Sequence, residues 1–199
     1  MSTSNVGNVN PPAFPHGGNE HAHVVQFYTR DEFLLDGLCE FVRSALSEGE
    51  SAVLVVSKTH RDGFMERLQA CGDDVSGAMK KGRCVVVDAA EALSKFMDGE
   101  VPNGKKFESL IGALIRQGQS AAEGKRVAVF GEMVALLWAD KKFQAALRLE
   151  QLWNELGRTH SFYLRCAYPA SGFRDEQQGE PYAAICAEHS AVMLAEACA

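Results

Sequence analysis

The chain has no C-x-x-C pair, no apolar run near the roughly 20 residues of a membrane span, and no excess of basic charge. The first absence removes zinc knuckles and thioredoxin-type redox motifs. The second predicts no membrane helix. The third counts against direct nucleic-acid binding, because 20 Lys and Arg stand against 26 Asp and Glu, a net charge of −6. The first 22 residues hold no Lys or Arg and no apolar signal core, so a secretory leader is not expected and the expected location is cytoplasmic. What is present is globular: 199 residues, 46% apolar and 23% charged, suit one domain with a full core.

The six cysteines, Cys39, Cys71, Cys84, Cys166, Cys186 and Cys198, are scattered, several of them within apolar patterns. Such thiols are expected to behave as small buried hydrophobes. For Cys166, ligand contact or redox sensing stands as the alternative.

Residues 1–20 are rich in Asn, Pro, Gly and Ser without periodicity and read as a flexible arm. From residue 23 onward strands and helices alternate. Apolar strands are predicted at 23–27, 51–57, 84–87, 126–130 and 162–167. Amphipathic helices are predicted at 31–46, at 107–119 and at 141–156, with shorter ones at 75–80, 89–97 and 133–138. Thr59 is expected to cap the helix after the second strand, and 99–104 reads as a turn. Residues 180–197 read as a tail, helical in part, with 191–199 outside the domain proper. Strands separated by helices imply an α/β fold: three layers around a mainly parallel sheet.

In such sheets ligands bind beyond the strand C-terminal ends. That rule gathers residues 26–31, 57–61, Asp88, 131–132 and 168–173. A phosphate cradle would need a glycine-rich loop, a lysine and a Ser or Thr after the first strand. Thr29-Arg30-Asp31-Glu32 stands there instead, and its carboxylates would repel phosphate. Glu132 follows a predicted buried strand and either faces the crevice or caps the next helix. His21 and His23 have a spacing compatible with metal, with a third ligand to come from Glu132, Cys166 or His189. The simpler expectation is a solvated His21 and a hydrogen-bonded His23, with no metal or other cofactor. No catalytic triad order is visible, so no catalytic residue is assigned and no enzymatic activity is expected. Trp138 and Trp153 sit in apolar stripes, while Lys141, Lys142, Arg148 and Glu150 read as a solvated face.

HVVQFYTRDEFLLDGLCEFV, GRCVVVDAAEALSKFM, FGEMVALLW, ALRLEQLWNEL and LRCAYP together resemble the MEDS domain. This sensory domain is named for methanogens, methylotrophs and the dichloromethane regulator DcmR. The resemblance spans residues 21–190. More distantly, the layout is similar to the RecA-like domain of the ATPase KaiC, a P-loop-NTPase-like fold whose nucleotide loop is here degenerate. In that comparison VAVFGEM corresponds to the Walker B strand.

The resemblance implies a sensor of small hydrocarbon-derived molecules in prokaryotic signal transduction. With little chain beyond residue 190, output is expected through a separate protein, a histidine kinase or transcription regulator. The expected ligand site comprises His23, Phe27, Tyr28, Glu132, Trp138, Cys166 and Tyr168. A degenerate nucleotide binder and a pure interaction module are the competing expectations.

Overall fold

The computed structural model describes residues 22–71, 75–173 and 179–195; the predicted arm at 1–20 lies outside them, as do residues 196–199. A single parallel sheet of six strands organises the molecule, in the order β3-β2-β6-β7-β1-β8. The strands are β1 (His23–Tyr28), β2 (Ser51–Val56), β3 (Cys84–Asp88), β6 (Val127–Gly131), β7 (Phe162–Pro169) and β8 (Ala191–Ala195). Between them β4 (Met97–Asp98) and β5 (Val101–Pro102) form a two-stranded antiparallel hairpin, the feature expected as a turn.

All residues of β2 and β6 are buried, which explains their continuous apolar runs: both faces of each strand are covered by helices. Alternation along the strands sorts side chains between two cores. Val25, Phe27, Val53, Val55, Val127, Val129, Leu164 and Cys166 face one side, against α4 (Ala89–Phe96), α6 (Ala113–Ala121), α7 (Met133–Ala139), α8 (Phe143–Gly157) and α9 (Gly179–Ala187). Tyr28, Ala52, Leu54, Val56, Ala128, Phe130, Tyr163 and Ala167 face the other, against α1 (Asp31–Ser47), α2 (Lys58–Cys71) and α3 (Val75–Lys80). The three-layer α/β expectation holds.

Several local expectations shift. The sixth strand was not foreseen: Ala191–Ala195, read from sequence as tail, pairs in parallel with β1. Five small or apolar residues near a chain end, preceded by a short helix, do not distinguish strand from frayed helix. The cap of α2 is Ser57, whose hydroxyl accepts the His60 N–H at 3.3 Å; Thr59 lies inside the first turn. The helix predicted at 107–119 starts earlier, as α5 (Gly104–Phe107), and passes through a π turn at Glu108–Gly112 into α6.

Gly118 lets α6 lie directly on the sheet. A Cβ there would meet the Ser51 hydroxyl oxygen at 2.8 Å and both Val127 methyls at 3.4 Å. Ser51 is fully buried and has little room to move. Gly118→Ala should therefore destabilise the fold by about 1–3 kcal/mol despite its better helix propensity. Urea denaturation checks this; an unchanged or raised midpoint would contradict the close approach.

Candidate functional site

Strand parity divides the seven predicted site residues between two clusters on opposite faces of the sheet. Tyr28 and Glu132 belong to one. His23, Phe27, Trp138, Cys166 and Tyr168 belong to the other.

The first cluster lies at the C-terminal ends of β2 and β6. Glu132 follows β6 and is only 3% exposed. Its carboxylate does not cap α7, as one sequence reading had it. It accepts the Ser57 backbone N–H at 2.6 Å and approaches His60 Nδ1 at 2.5 Å. The other ring nitrogen of His60 faces the Asp31 carboxylate at 3.4 Å, and Tyr28 packs edge-on against the same ring. His60 lies in the 57–61 segment that the sequence reading placed at the crevice, though it was not singled out there; its position in the first turn after β2 was the available signal.

Burial disfavours the imidazolium of His60, but the Glu132 hydrogen bond and the charges of Glu132 and Asp31 outweigh it and raise the pKa above its ordinary value. Burial together with Glu132 and Asp31 pushes the Tyr28 phenol upward. The crevice edge is thus filled by an ionic lock between β1–α1, β2–α2 and β6, and carboxylates stand where a phosphate would need donors.

A raised folded-state pKa means that the His60 contribution is fully present below its unfolded value, about 6.5, and is lost as pH rises through the raised value. The stability gap between the native chain and His60→Asn should therefore narrow as pH increases from about 6 to about 9. Melting curves over that range test this, and a constant or widening gap would contradict it. Glu132→Ala, which strands the Ser57 N–H and His60, should cost about 2 kcal/mol.

The second cluster is buried between β1, β7, α8 and the turn from α9 to β8. Its centre is Glu150, fully inaccessible to solvent. The expectation that Glu150 lies on a solvated face is corrected here. Along α8, Ala146, Glu150, Trp153 and Gly157 recur at helical spacing and all are buried, so Glu150 occupies the inward stripe. Of that predicted face, Arg148 does lie near the surface, where it pairs with Glu155.

Around the Glu150 carboxylate stand the Tyr168 hydroxyl, which donates to Oε1 at 2.7 Å, and the Cys166 thiol, which donates to Oε2 at 3.2 Å. His23 Nε2 lies 3.2 Å from Oε2 and 3.4 Å from Cys166 Sγ. His189 Nε2 lies 3.6 Å from Oε1, and its side chain is wholly buried. One ligand atom from each of His23, Glu150, Cys166 and His189 lies within 4.8 Å of every other. His21, the other half of the predicted histidine pair, is outside the described residues. Glu132, named in sequence as a possible ligand beside them, is on the opposite face.

Burial alone would push the Glu150 carboxyl up. The field of His189, the hydrogen bond and field of His23, and the Tyr168 hydroxyl reverse this and hold it near about 2. Burial lowers His189 beyond what the neighbouring carboxylates restore, so its imidazole favours the neutral form. These two directions oppose each other, since a neutral His189 brings no positive charge to Glu150. The anionic Glu150 rests more securely on its donors, Tyr168 and Cys166, than on that charge. Burial and Glu150 raise both the Cys166 thiol and the Tyr168 phenol well above their usual values.

Beside this polar group lies an aromatic box. Phe27, Phe173 and Tyr182 meet pairwise with ring centroids 4.9–5.2 Å apart. Trp138 stacks on Phe173 at 4.2 Å, and its indole N–H donates to the Gly172 carbonyl at 2.8 Å. Tyr168 joins the box to the polar group, 6.0 Å from Phe27 and 5.5 Å from Phe173. Phe173 falls in the 168–173 segment gathered at the crevice from sequence but was not singled out, and Tyr182, in the segment read as tail, was not predicted. A separate surface hollow of about 530 Å³, lined by Lys95, Lys105, Lys106, Leu110 and Leu114 among others, shares no residue with either cluster.

Comparison with solved structures places the fold. A KaiC-like protein from the hyperthermophilic archaeon Pyrococcus horikoshii OT3 superposes with a TM-score of 0.55 at 15% identity, over 88% of this chain and 72% of that one. The fold is RecA-like, as expected. No curated protein matches at the sequence level. Among the described residues no helix is long and apolar enough to cross a membrane. A family model described as MEDS, the methanogen/methylotroph, DcmR sensory domain, matches residues 22–183. On that match, over most of its length, the chain belongs to the MEDS family of sensory domains.

Proposed function

We propose that this chain is a non-enzymatic sensor that binds a small hydrocarbon-derived molecule and signals through a separate protein. The ligand's apolar part would lie against the aromatic box, and its heteroatom would face the group around Glu150. The observation that carries this reading is the juxtaposition itself: a fully buried carboxylate with two imidazoles, a thiol and a phenol, adjoining four further aromatic rings. Selective small-molecule sites have this mixture of apolar wall and few convergent polar groups. A buried charge costs several kcal/mol even when paired, and apolar residues would pack the same space at no loss of stability. A function explains its retention better than folding does.

The route to a partner runs through the turn between α9 and β8. Ser190 is stitched to His23 three times: its N–H donates to the His23 carbonyl at 2.7 Å, its hydroxyl donates to the same oxygen at 2.8 Å, and it accepts the His23 N–H at 3.1 Å. Asn154 donates to the Glu188 carbonyl and carboxylate. A ligand that moves His23 or His189 therefore moves the start of β8, an edge strand whose Val192 and Leu194 are 48% and 70% exposed. Such a shift needs only differential affinity for two positions of one element. The nucleotide alternative is disfavoured by the crevice edge, where Glu132, His60 and Asp31 fill the ground a phosphate would occupy.

A thermal-shift panel of one- and two-carbon metabolites, set beside nucleotides with magnesium, tests the reading. A true ligand at a hundredfold excess over its Kd should raise the melting temperature by about 5–10 °C. Phe173→Ala, which opens the box, should abolish the shift. Stabilisation by nucleotide alone, or a small-molecule shift that survives Phe173→Ala, would sink the proposal.

A further inference from the structure

We infer that His23, Glu150, Cys166 and His189 form a binding site for a divalent transition-metal ion of the zinc class. The inference deepens the sensor reading and rests on it for the site's purpose, while metal binding itself is measurable without any organic ligand or partner.

Hydrogen bonding around the two imidazoles carries the argument. Asn154 directs its NH₂ to two acceptors on Glu188, so its carbonyl oxygen must be the atom facing His23 Nδ1 at 2.8 Å. A carbonyl only accepts, so Nδ1 carries the proton. His189 Nδ1 likewise donates to the Ile185 carbonyl at 2.7 Å. Where either ring carries a single proton, that proton is therefore on Nδ1, and Nε2 is the nitrogen that faces Glu150. This is the arrangement that orients metal-bound histidines: the outer nitrogen donates to an oxygen and the inner one is left to coordinate.

The inner atoms want a cation. His189 Nε2 is buried and has no hydrogen-bond partner, its nearest acidic oxygen being 3.6 Å away. His23 Nε2 and a carboxylate oxygen of Glu150 stand only 3.2 Å apart. Two lone pairs that close repel unless a proton or metal ion lies between them.

The spacing fits a metal. Bonds of 2.0–2.3 Å in a tetrahedron put neighbouring ligand atoms about 3.3–3.8 Å apart. The distances here are 3.2 Å for His23 to Glu150 Oε2, 3.4 Å for His23 to Cys166 and 3.2 Å for Cys166 to Glu150 Oε2, with His189 Nε2 within 4.8 Å of the other ligand atoms.

Two imidazoles, one thiolate and one carboxylate suit zinc or a related borderline ion, and do not suit magnesium or calcium, which take oxygen ligands. Binding releases the Cys166 thiol proton to solvent. The ligand charges, one thiolate and one carboxylate, then balance the divalent ion in a site that excludes water. Tyr168 keeps its hydrogen bond to Glu150 Oε1, leaving Oε2 for the ion. Asn154 is a positioning residue for His23.

The test uses the full chain, stripped with a chelator and titrated with Co²⁺ and then Zn²⁺. The expected result is one equivalent of Co²⁺ with thiolate-to-cobalt charge-transfer absorption, displaced by Zn²⁺. Cys166→Ser should lose that absorption, and Asn154→Ala should weaken Zn²⁺ binding by roughly 10–100-fold. Lys105→Ala, in the surface hollow that shares no residue with either cluster, should bind as the native chain does. Because the cobalt spectrum is read on the unsubstituted protein, a variant that fails to fold leaves the answer intact. Absence of the charge-transfer band, or its persistence in folded Cys166→Ser, overturns the site. If the metal binds and no small molecule stabilises the loaded protein, the metal stands and the sensor reading falls. If a small molecule stabilises the stripped protein while no metal binds, the reverse holds.

Discussion

Glu150 is the constraint around which the second half of the molecule is arranged. A carboxylate with no solvent exposure must be surrounded by donors or cations, and its four neighbours arrive from three separate parts of the chain. β7 brings Cys166 and Tyr168 at positions two apart, hence on one face. β1 brings His23, and the turn before β8 brings His189. Asn154, one helical turn beyond Glu150 on α8, ties His23 to Glu188. Parallel pairing of β8 beside β1, the packing of α9 and the turn that joins them all converge on satisfying this one group.

The scaffold has two possible places for chemistry, and they are used differently. In an open parallel sheet the C-terminal edge is the usual ligand crevice. Here the His60–Glu132–Asp31 lock occupies it, joining three strand–helix units. The Glu150 cluster lies on the face of the sheet, beneath α8 and α9, with Phe27, Trp138, Phe173 and Tyr182 beside it.

Much of the fold was legible because buried parallel strands announce themselves as unbroken β-branched runs, as SAVLVV and RVAVF do. The family resemblance was legible from the same segments. β8 was not, because AVMLA after a short helix has no periodicity to separate strand from helix. Of the expected site residues, His23, Cys166 and Tyr168 lie together around Glu150, and Phe27 and Trp138 lie among the adjoining rings. Tyr28 and Glu132 fell on the other face because proximity to a strand end does not reveal which way a side chain points. Glu150 was misjudged from its charge. Its position in step with Ala146 and Trp153 was the signal that it faces inward, and an acid in an apolar stripe marks a site more reliably than an acid beside a strand end.

The central claim is that the Glu150 group governs the position of β8 through His189 and Ser190. Amide hydrogen exchange of residues 191–195, measured with and without Zn²⁺, tests it most directly. The account predicts that exchange in β8 slows on adding the ion, because filling the site fixes the turn that starts the strand, while exchange in β3 at the opposite edge stays the same. Identical exchange in β8 with and without the ion, at concentrations where binding is complete, would contradict it.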